Sequence, residues 1–152
     1  MKRTTRLLAV AAFLYALSWL MPVVDGGITL FDGGLPGWEV FRLALAPIWP
    51  YEGLSGDGWW SDSLSVLSAL TNIGFVISAA MLTAWPQRFR RGIFWYLVLA
   101  TIVNALWFVL SDERGHLRIG YYLWLSSFIA LAVAARSWSA AAGSSTTPSA
   151  KA

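Results

Sequence analysis

The chain contains no cysteine. That excludes disulfides, thiolate metal sites and a cysteine nucleophile. Charge is scarce as well. Asp, Glu, Lys and Arg make up 12% of the 152 residues, against about 25% in an average soluble domain. His116 is the only histidine, and it lies in a charged turn beside Asp112 and Glu113, where solvation is a better expectation than metal binding. No nucleophile motif surrounds any serine, so a serine–histidine–carboxylate set has no basis. No Gly-rich phosphate loop is present either. The sequence therefore implies no catalytic residues, no cofactor and no metal.

Hydrophobic residues are what the chain has in abundance: 57% of the total, ten of them Trp, with a mean hydropathy of +0.59. A chain this apolar cannot cover its surface with polar groups in water. Four apolar runs, roughly Leu7 to Val24, Leu64 to Trp85, Ile93 to Leu110 and Ile119 to Ala135, contain no Asp, Glu, Lys, Arg or His. Each is long enough, within the ~17–25 helical residues that cross a hydrocarbon core of ~30 Å. Backbone groups in lipid must be satisfied within the segment, which selects helices. The expected fold is all-α: a transmembrane four-helix bundle over residues 1–137, followed by a disordered cytoplasmic tail over 138–152. The first run follows a basic Met1-Lys-Arg-Thr-Thr-Arg segment like that of a signal peptide. It exceeds the ~7–15 residues of a signal h-region and has no small-x-small site at its end, so it is expected to stay as a membrane helix.

The net charge of +3 and pI near 9.6 come from placement rather than from a nucleic-acid surface. Lys2, Arg3, Arg6, Arg88, Arg90, Arg91, Arg136 and Lys151 would share one side of four spans, leaving Arg42, Arg114 and Arg118 on the other. The positive-inside rule makes the first side cytoplasmic and puts both termini there. All the acidic residues, from Asp25 to Glu113, then lie outside. No nucleic-acid partner is expected; membrane lipid is.

The first external segment, about residues 25–62, is rich in Asp-Gly turns. Its glycines suit tight turns, and their spacing with the acidic residues is not that of an EF-hand. Within it, residues 36–46 are expected to form a short helix, opened by Pro36 and ended by Pro47 and Pro50. Trp38, Phe41 and Leu45 would share one face, Glu39 and Arg42 the other, as in a helix lying in the outer interface. Trp59 and Trp60 complete the outer aromatic set.

Asn72 and Asn104 are the strongest polar groups inside the runs. They lie at similar heights on antiparallel neighbours and are expected to point inward, bonded to each other or to Ser18 or Ser127. Ser61, Ser65, Ser68 and Asn72 fall at helical spacing on the second run, as in a packing seam. Ala9, Ala12 and Ala16 on the first run, and Ser127, Ala130 and Ala134 on the fourth, offer matching small faces. Asn72, Asn104, Ser65 and Ser68 are thus candidates for interhelical packing, or for the lining of a transport path.

Tyr15-Ala-Leu-Ser-Trp-Leu-Met-Pro22, Leu35-Pro-Gly-Trp-Glu-Val-Phe-Arg-Leu-Ala-Leu45 and Gly120-Tyr-Tyr-Leu-Trp-Leu-Ser-Ser-Phe128 resemble segments of a group of small, uncharacterised four-span bacterial inner-membrane proteins. The resemblance covers most of residues 10–135. It implies the four-span layout and the inner membrane, and it implies no activity. The claudin-like tetraspans share a long first external loop, but their paired loop cysteines are missing. Three functions follow in order: an accessory protein that packs against itself or a larger membrane complex, a small transporter or channel using Asn72, Asn104 and the serine stripe, and an outer-face enzyme using loop carboxylates. The absence of ionisable groups inside the runs weighs against proton-coupled transport.

Overall fold

The computed structural model describes residues 2–25, 34–49, 59–85, 88–110 and 116–143. Most of them are helical: α1 (Lys2–Leu20), α2 (Gly37–Ala44), α3 (Trp59–Ala84), α4 (Arg90–Leu110) and α5 (Ile119–Gly143). The strands β1 (Pro22–Asp25) and β2 (Gly34–Pro36) form an antiparallel pair. All four apolar runs are helical over most of their length, and α3 and the Ile119–Ser137 part of α5 are long and apolar enough to cross a membrane. The apolar stretch of α1, Thr4–Leu20, is shorter.

The helix ends depart from the apolar limits. α1 stops at Leu20 rather than near Val24. Pro22 has no N–H and disfavours helical geometry at Met21, so the run turns extended and becomes β1. β1 is paired on its other side too, because Val24 bridges Leu117 and Arg118 N donates to Val23 O at 2.8 Å. This small ladder was not legible as strand, since four residues at the end of a longer apolar run carry no separate alternation. α3 begins at Trp59, five residues before Leu64. Asp62 lies in its first turn, where a negative charge suits the helix dipole, and Ser63 Oγ donates to Trp59 O at 2.6 Å. α5 runs on to Gly143, past Ala135 and into the segment expected to be unstructured. Its last turns are rich in Ala, the best helix former. The rest of that expected tail, 144–152, lies outside the described residues, as do 26–33 and 50–58 of the segment expected to be external and residues 111–115 before α5.

α2 starts one residue after the expected Pro36, which takes the cap position with φ −69° and ψ 158°. Its first residue presses on α1: a Cβ at Gly37 would sit 2.4 Å from Ser18 O and 2.8 Å from Trp19 Cα. Only glycine lets the two backbones approach this closely.

α5 is central. α1 lies along one side of it and α4 along another, and α3 packs mainly on α4. The core joins Phe75, Leu82, Leu97, Phe128 and Leu131 with small residues such as Ala11, Ala100 and Ala135. Tyr15 stacks on Phe75 with ring centroids 4.2 Å apart, and Phe75 meets Phe128 at 4.9 Å. The small face expected to pack on α1 is turned the other way. Ala9, Ala12 and Ala16 are exposed, while Leu8, Ala11, Tyr15 and Ser18 face inward. Tyr15 brings both an aromatic ring for the core and a hydroxyl that needs a partner when buried, and that outweighs the close approach small residues would allow. On α5, Ser127 and Ala134 are buried and Ala130 packs against the core, as expected.

Polar and apolar side chains are distributed inside out. Ser18, Ser68, Thr71, Asn72, Ser78, Asn104 and Ser127 are buried. Leu67, Leu70, Ile73, Val76 and Ile77 of α3, Trp95, Leu99 and Ile102 of α4, and Ile129 and Val133 of α5 are exposed. Monomeric soluble proteins rarely expose apolar surface in contiguous patches of this kind.

Candidate functional site

The buried polar groups converge on two asparagines. Asn104 of α4 is fully buried. Its Oδ1 accepts from Ser68 Oγ at 2.9 Å, and its Nδ2 donates to Thr71 Oγ1 at 3.1 Å. Thr71 Oγ1 is also 3.3 Å from Asn104 Oδ1 and 2.6 Å from Ser68 O. A hydroxyl has one proton, and the shorter contact takes it, so Thr71 accepts from Asn104 while donating to Ser68 O. Tyr121 of α5 donates its hydroxyl to Asn104 O at 2.9 Å.

Asn72 of α3 serves the other side. Trp124 Nε1 of α5 donates to Asn72 Oδ1 at 2.8 Å, and the Tyr15 hydroxyl of α1 donates to the same atom at 3.2 Å. An indole N–H only donates, which fixes the amide with Oδ1 toward Trp124 and Nδ2 toward Ser68 O at 3.3 Å. The two asparagines are thus linked through Ser68 and not directly. The expected bonds to Ser18 and Ser127 are also not formed: Ser18 Oγ turns back to Tyr15 O at 2.7 Å and Ser127 Oγ to Trp124 O at 2.6 Å. Small hydroxyls on a helix find an acceptor one turn back, so they were poor candidates to reach across. Ser61 and Ser65, the first half of the serine stripe, are half-buried and take no part in this network.

Tyr15, Thr71, Tyr121 and Trp124 were missed as members. Tyrosine and tryptophan in a hydrophobic helix suggest the lipid–water boundary. Their polar tips equally require a partner when the ring is buried, and that second signal would have paired them with the asparagines.

Beside Asn72 lies a cavity of about 60 Å³. Ser18, Ser68, Asn72 and Trp124 line it together with Trp19, Val40, Phe41 and Ala69, and its surface is predominantly apolar. α2 roofs it, with Gly37 and Ala44 also in the lining.

The outer aromatic residues divide. Phe41 packs on Trp19, with centroids 5.3 Å apart, whereas Trp38 is exposed. Arg42 does not simply point to water with Glu39: its guanidinium donates to Trp49 O at 3.0 Å and lies 4.6 Å over the Trp49 ring. Trp59 and Trp60 are exposed and meet edge to face at 5.7 Å. His116 is exposed, as expected of a turn residue, but it is not isolated. Its Nδ1 lies 3.5 Å from Asp25 Oδ2, and Arg118 Nε pairs with Asp25 Oδ1. These contacts are on the surface, where ion pairs are worth ~0–1 kcal/mol. Asp25→Asn is expected to lower stability by less than about 1 kcal/mol, and the difference should vanish at high salt. A larger, salt-independent loss in thermal unfolding would contradict this.

Chemically, the asparagine network is neutral and its hydrogen bonds close on themselves. Among the described residues no three His, Asp or Glu side chains come together. No family model matches the chain, and neither the curated proteins nor the solved structures contain a match.

Proposed function

We propose that the chain is a four-span protein of the bacterial inner membrane, with both termini cytoplasmic, whose role is to pack against a membrane partner rather than to catalyse a reaction. The inside-out distribution of side chains carries the membrane placement. Apolar residues cover the outward faces of α3, α4 and α5, while serine, threonine and asparagine are buried. At 1.5 Å per residue, the apolar stretch Thr4–Leu20 of α1 and the 21 residues of α4 measure about 26 and 32 Å, against the ~30 Å of a hydrocarbon core. Arg136 of α5 lies 5.9 Å over the ring of Phe94 of α4, which brings basic residues of two helices to the same end.

Reporter domains active only outside the membrane should function when fused after Gly34 or Gly115. They should be silent after Gln87 or Ala142. Activity after Gln87 would overturn the topology.

The packing role is supported by α1. Its stripe of Ala9, Ala12 and Ala16 faces away from the rest of the protein, and small residues are what membrane helices use to approach one another. A photo-crosslinking side chain placed at Ala12 in native membranes should trap a discrete protein adduct, either a second copy or another membrane protein. The same group at Leu99, on the exposed face of α4, should trap lipid. Lipid alone from both positions would defeat the packing role. The cavity beside Asn72 favours a transporter as the second possibility. A solute path would need water to reach Asn104 as well, and Asn104 is sealed by Ser68, Thr71 and Tyr121.

A further inference from the structure

We propose that the outer groove between α4 and α5, at the end where Arg91 and Arg136 lie, binds an anionic phospholipid. Its phosphate sits between the two guanidiniums and its acyl chains run along the two helices. The proposal rests on the membrane placement above and adds a lipid partner of stated charge to it.

The fold brings the two cations to one place. The Arg136 guanidinium of α5 lies 5.9 Å over the ring of Phe94 of α4. Arg91 is three residues before Phe94, one turn away on the same side of α4. The two helices pack against each other, and both arginines are exposed. Stacking holds a guanidinium by its face and leaves the N–H groups in its plane to donate. That fork matches two oxygens of a phosphate.

No carboxylate competes for these donors. The sequence has no Asp or Glu before Asp25, in residues 63–111 or in residues 114–152. The described acidic residues are Asp25 of β1, Glu39 of α2 and Asp62 in the first turn of α3. All three belong to the opposite end of the bundle, because α4 begins where α3 has just ended. Asp25 is already paired with Arg118 there. The end that carries Arg91 and Arg136 is therefore positive, with no acidic side chain to balance it. A net-negative lipid supplies that charge. A lipid whose own ammonium neutralises its phosphate does not.

An apolar track leads away from each cation. Arg91, Trp95 and Leu99 are four residues apart on α4, and Arg136, Val133 and Ile129 are three and four apart on α5. Each set shares one helix face. Trp95 and Leu99 are 60% and 62% exposed, Val133 and Ile129 48% and 49%. Two cations heading two apolar tracks have the layout of a charged headgroup with two chains. The depth agrees with this. Arg91 is 19 residues from the last residue of α4, and Arg136 is 17 from the first residue of α5. These are about 28 and 26 Å along the helix axes. Both cations thus lie near one edge of a hydrocarbon core of ~30 Å, where lipid phosphates begin. In the four-span arrangement this is the cytoplasmic leaflet, whose anionic lipids attract basic residues beside a span.

The test uses the full-length protein in phosphatidylcholine nanodiscs and a phosphatidylglycerol carrying a photoactivatable diazirine in one acyl chain. Crosslinks, mapped by peptide mass spectrometry, should concentrate in residues 91–99 and 129–136. Unlabelled phosphatidylglycerol should displace the probe about twenty-five-fold better than phosphatidylethanolamine, which is neutral overall. Arg91→Gln and Arg136→Gln should each lower that advantage about fivefold, and the double variant should bring it close to parity. Arg42→Gln, on α2 at the other end, should leave it unchanged. Equal displacement by the two lipids in the parent protein would overturn the proposal without recourse to any variant. So would labelling spread evenly over the exposed face of α3, or an undiminished advantage in a folded double variant. Displacement by inorganic phosphate would also overturn it, by showing a site for the free ion rather than for a lipid. The nanodisc offers the same lipids to both of its faces, so the readout does not depend on orientation in the cell. Reporter fusions after Gln87 test the topology separately.

Discussion

Asn72→Leu is expected to lower stability by about 1–3 kcal/mol. Two interhelical hydrogen bonds are lost, each worth the ~0.6–1.7 kcal/mol typical of such bonds in membranes. Leucine has the same side-chain branching and heavy-atom count as asparagine, and the cavity beside Asn72 gives room for its greater volume. What changes is that the Trp124 indole and the Tyr15 hydroxyl lose their shared acceptor at Asn72 Oδ1. The indole has no other way to satisfy itself, because it can only donate. Removing one partner of a buried bond costs more than removing both. The double variant Asn72→Leu with Tyr15→Phe should therefore lose less than the two single losses added together. Asn104→Leu should cost about 1–2 kcal/mol, since it strands Ser68 Oγ while Thr71 keeps its bond to Ser68 O. Reversible unfolding in one defined detergent reads all of these variants. An Asn72→Leu protein as stable as the parent would show that these bonds do not hold the helices together.

The second large effect is expected at Gly120. A Cβ there would lie 2.7 Å from Met21 O, 2.7 Å from Pro22 O and 2.9 Å from Val23 Cγ2. The two carbonyls belong to backbone held by the last turn of α1 and by β1, so neither can swing aside. Alanine must push the first turn of α5 away from that corner, straining the Arg118 N to Val23 O bond beside it. Overpacking of this kind costs about 1–3 kcal/mol. Gly74 is the control. A Cβ at Gly74 would come within 1.7 Å of Tyr96 Oη, nominally a worse clash. The obstacle is the free end of a side chain, which can rotate away and lose only its 3.3 Å bond to Thr71 O. Gly74→Ala should cost less than about 1 kcal/mol. At Gly92 a Cβ would meet nothing within 4 Å, and alanine there should be neutral or stabilising by about 0.5–1 kcal/mol through helix propensity. A Tm lower for Gly74→Ala than for Gly120→Ala would reverse this order and refute its cause.

Much of the helical layout is legible because it depends on composition over long windows. Apolar runs of this length without a charge leave few alternatives to helix, and the short helix after Pro36 follows from punctuation by proline together with 3–4 spacing. The ends are less legible. Ser61, Asp62 and Ser63 extend α3, and an alanine-rich stretch extends α5, because a helix does not stop where its apolar residues stop. The β1 ladder depends on Leu117, far away in the chain, and no local pattern announces such a partner.

The sequence alone determined that the chain is helical, that Asn72 and Asn104 belong to the interior, and that positive charge is concentrated in particular segments. These follow from the cost of exposing apolar groups to water and of leaving amides unpaired, and both costs are properties of residue type. Only the tertiary structure decided which partners those amides take, which face of α1 turns inward, and that a cavity opens beneath α2. Each of these depends on how neighbouring helices are rotated about their axes. A rotation of one residue position, about 100° in a helix of 3.6 residues per turn, exchanges the Ala9–Ala12–Ala16 face for the Ala11–Tyr15–Ser18 face. Tyr15 and Trp124 select the second, because their rings complete the core while their polar tips reach Asn72.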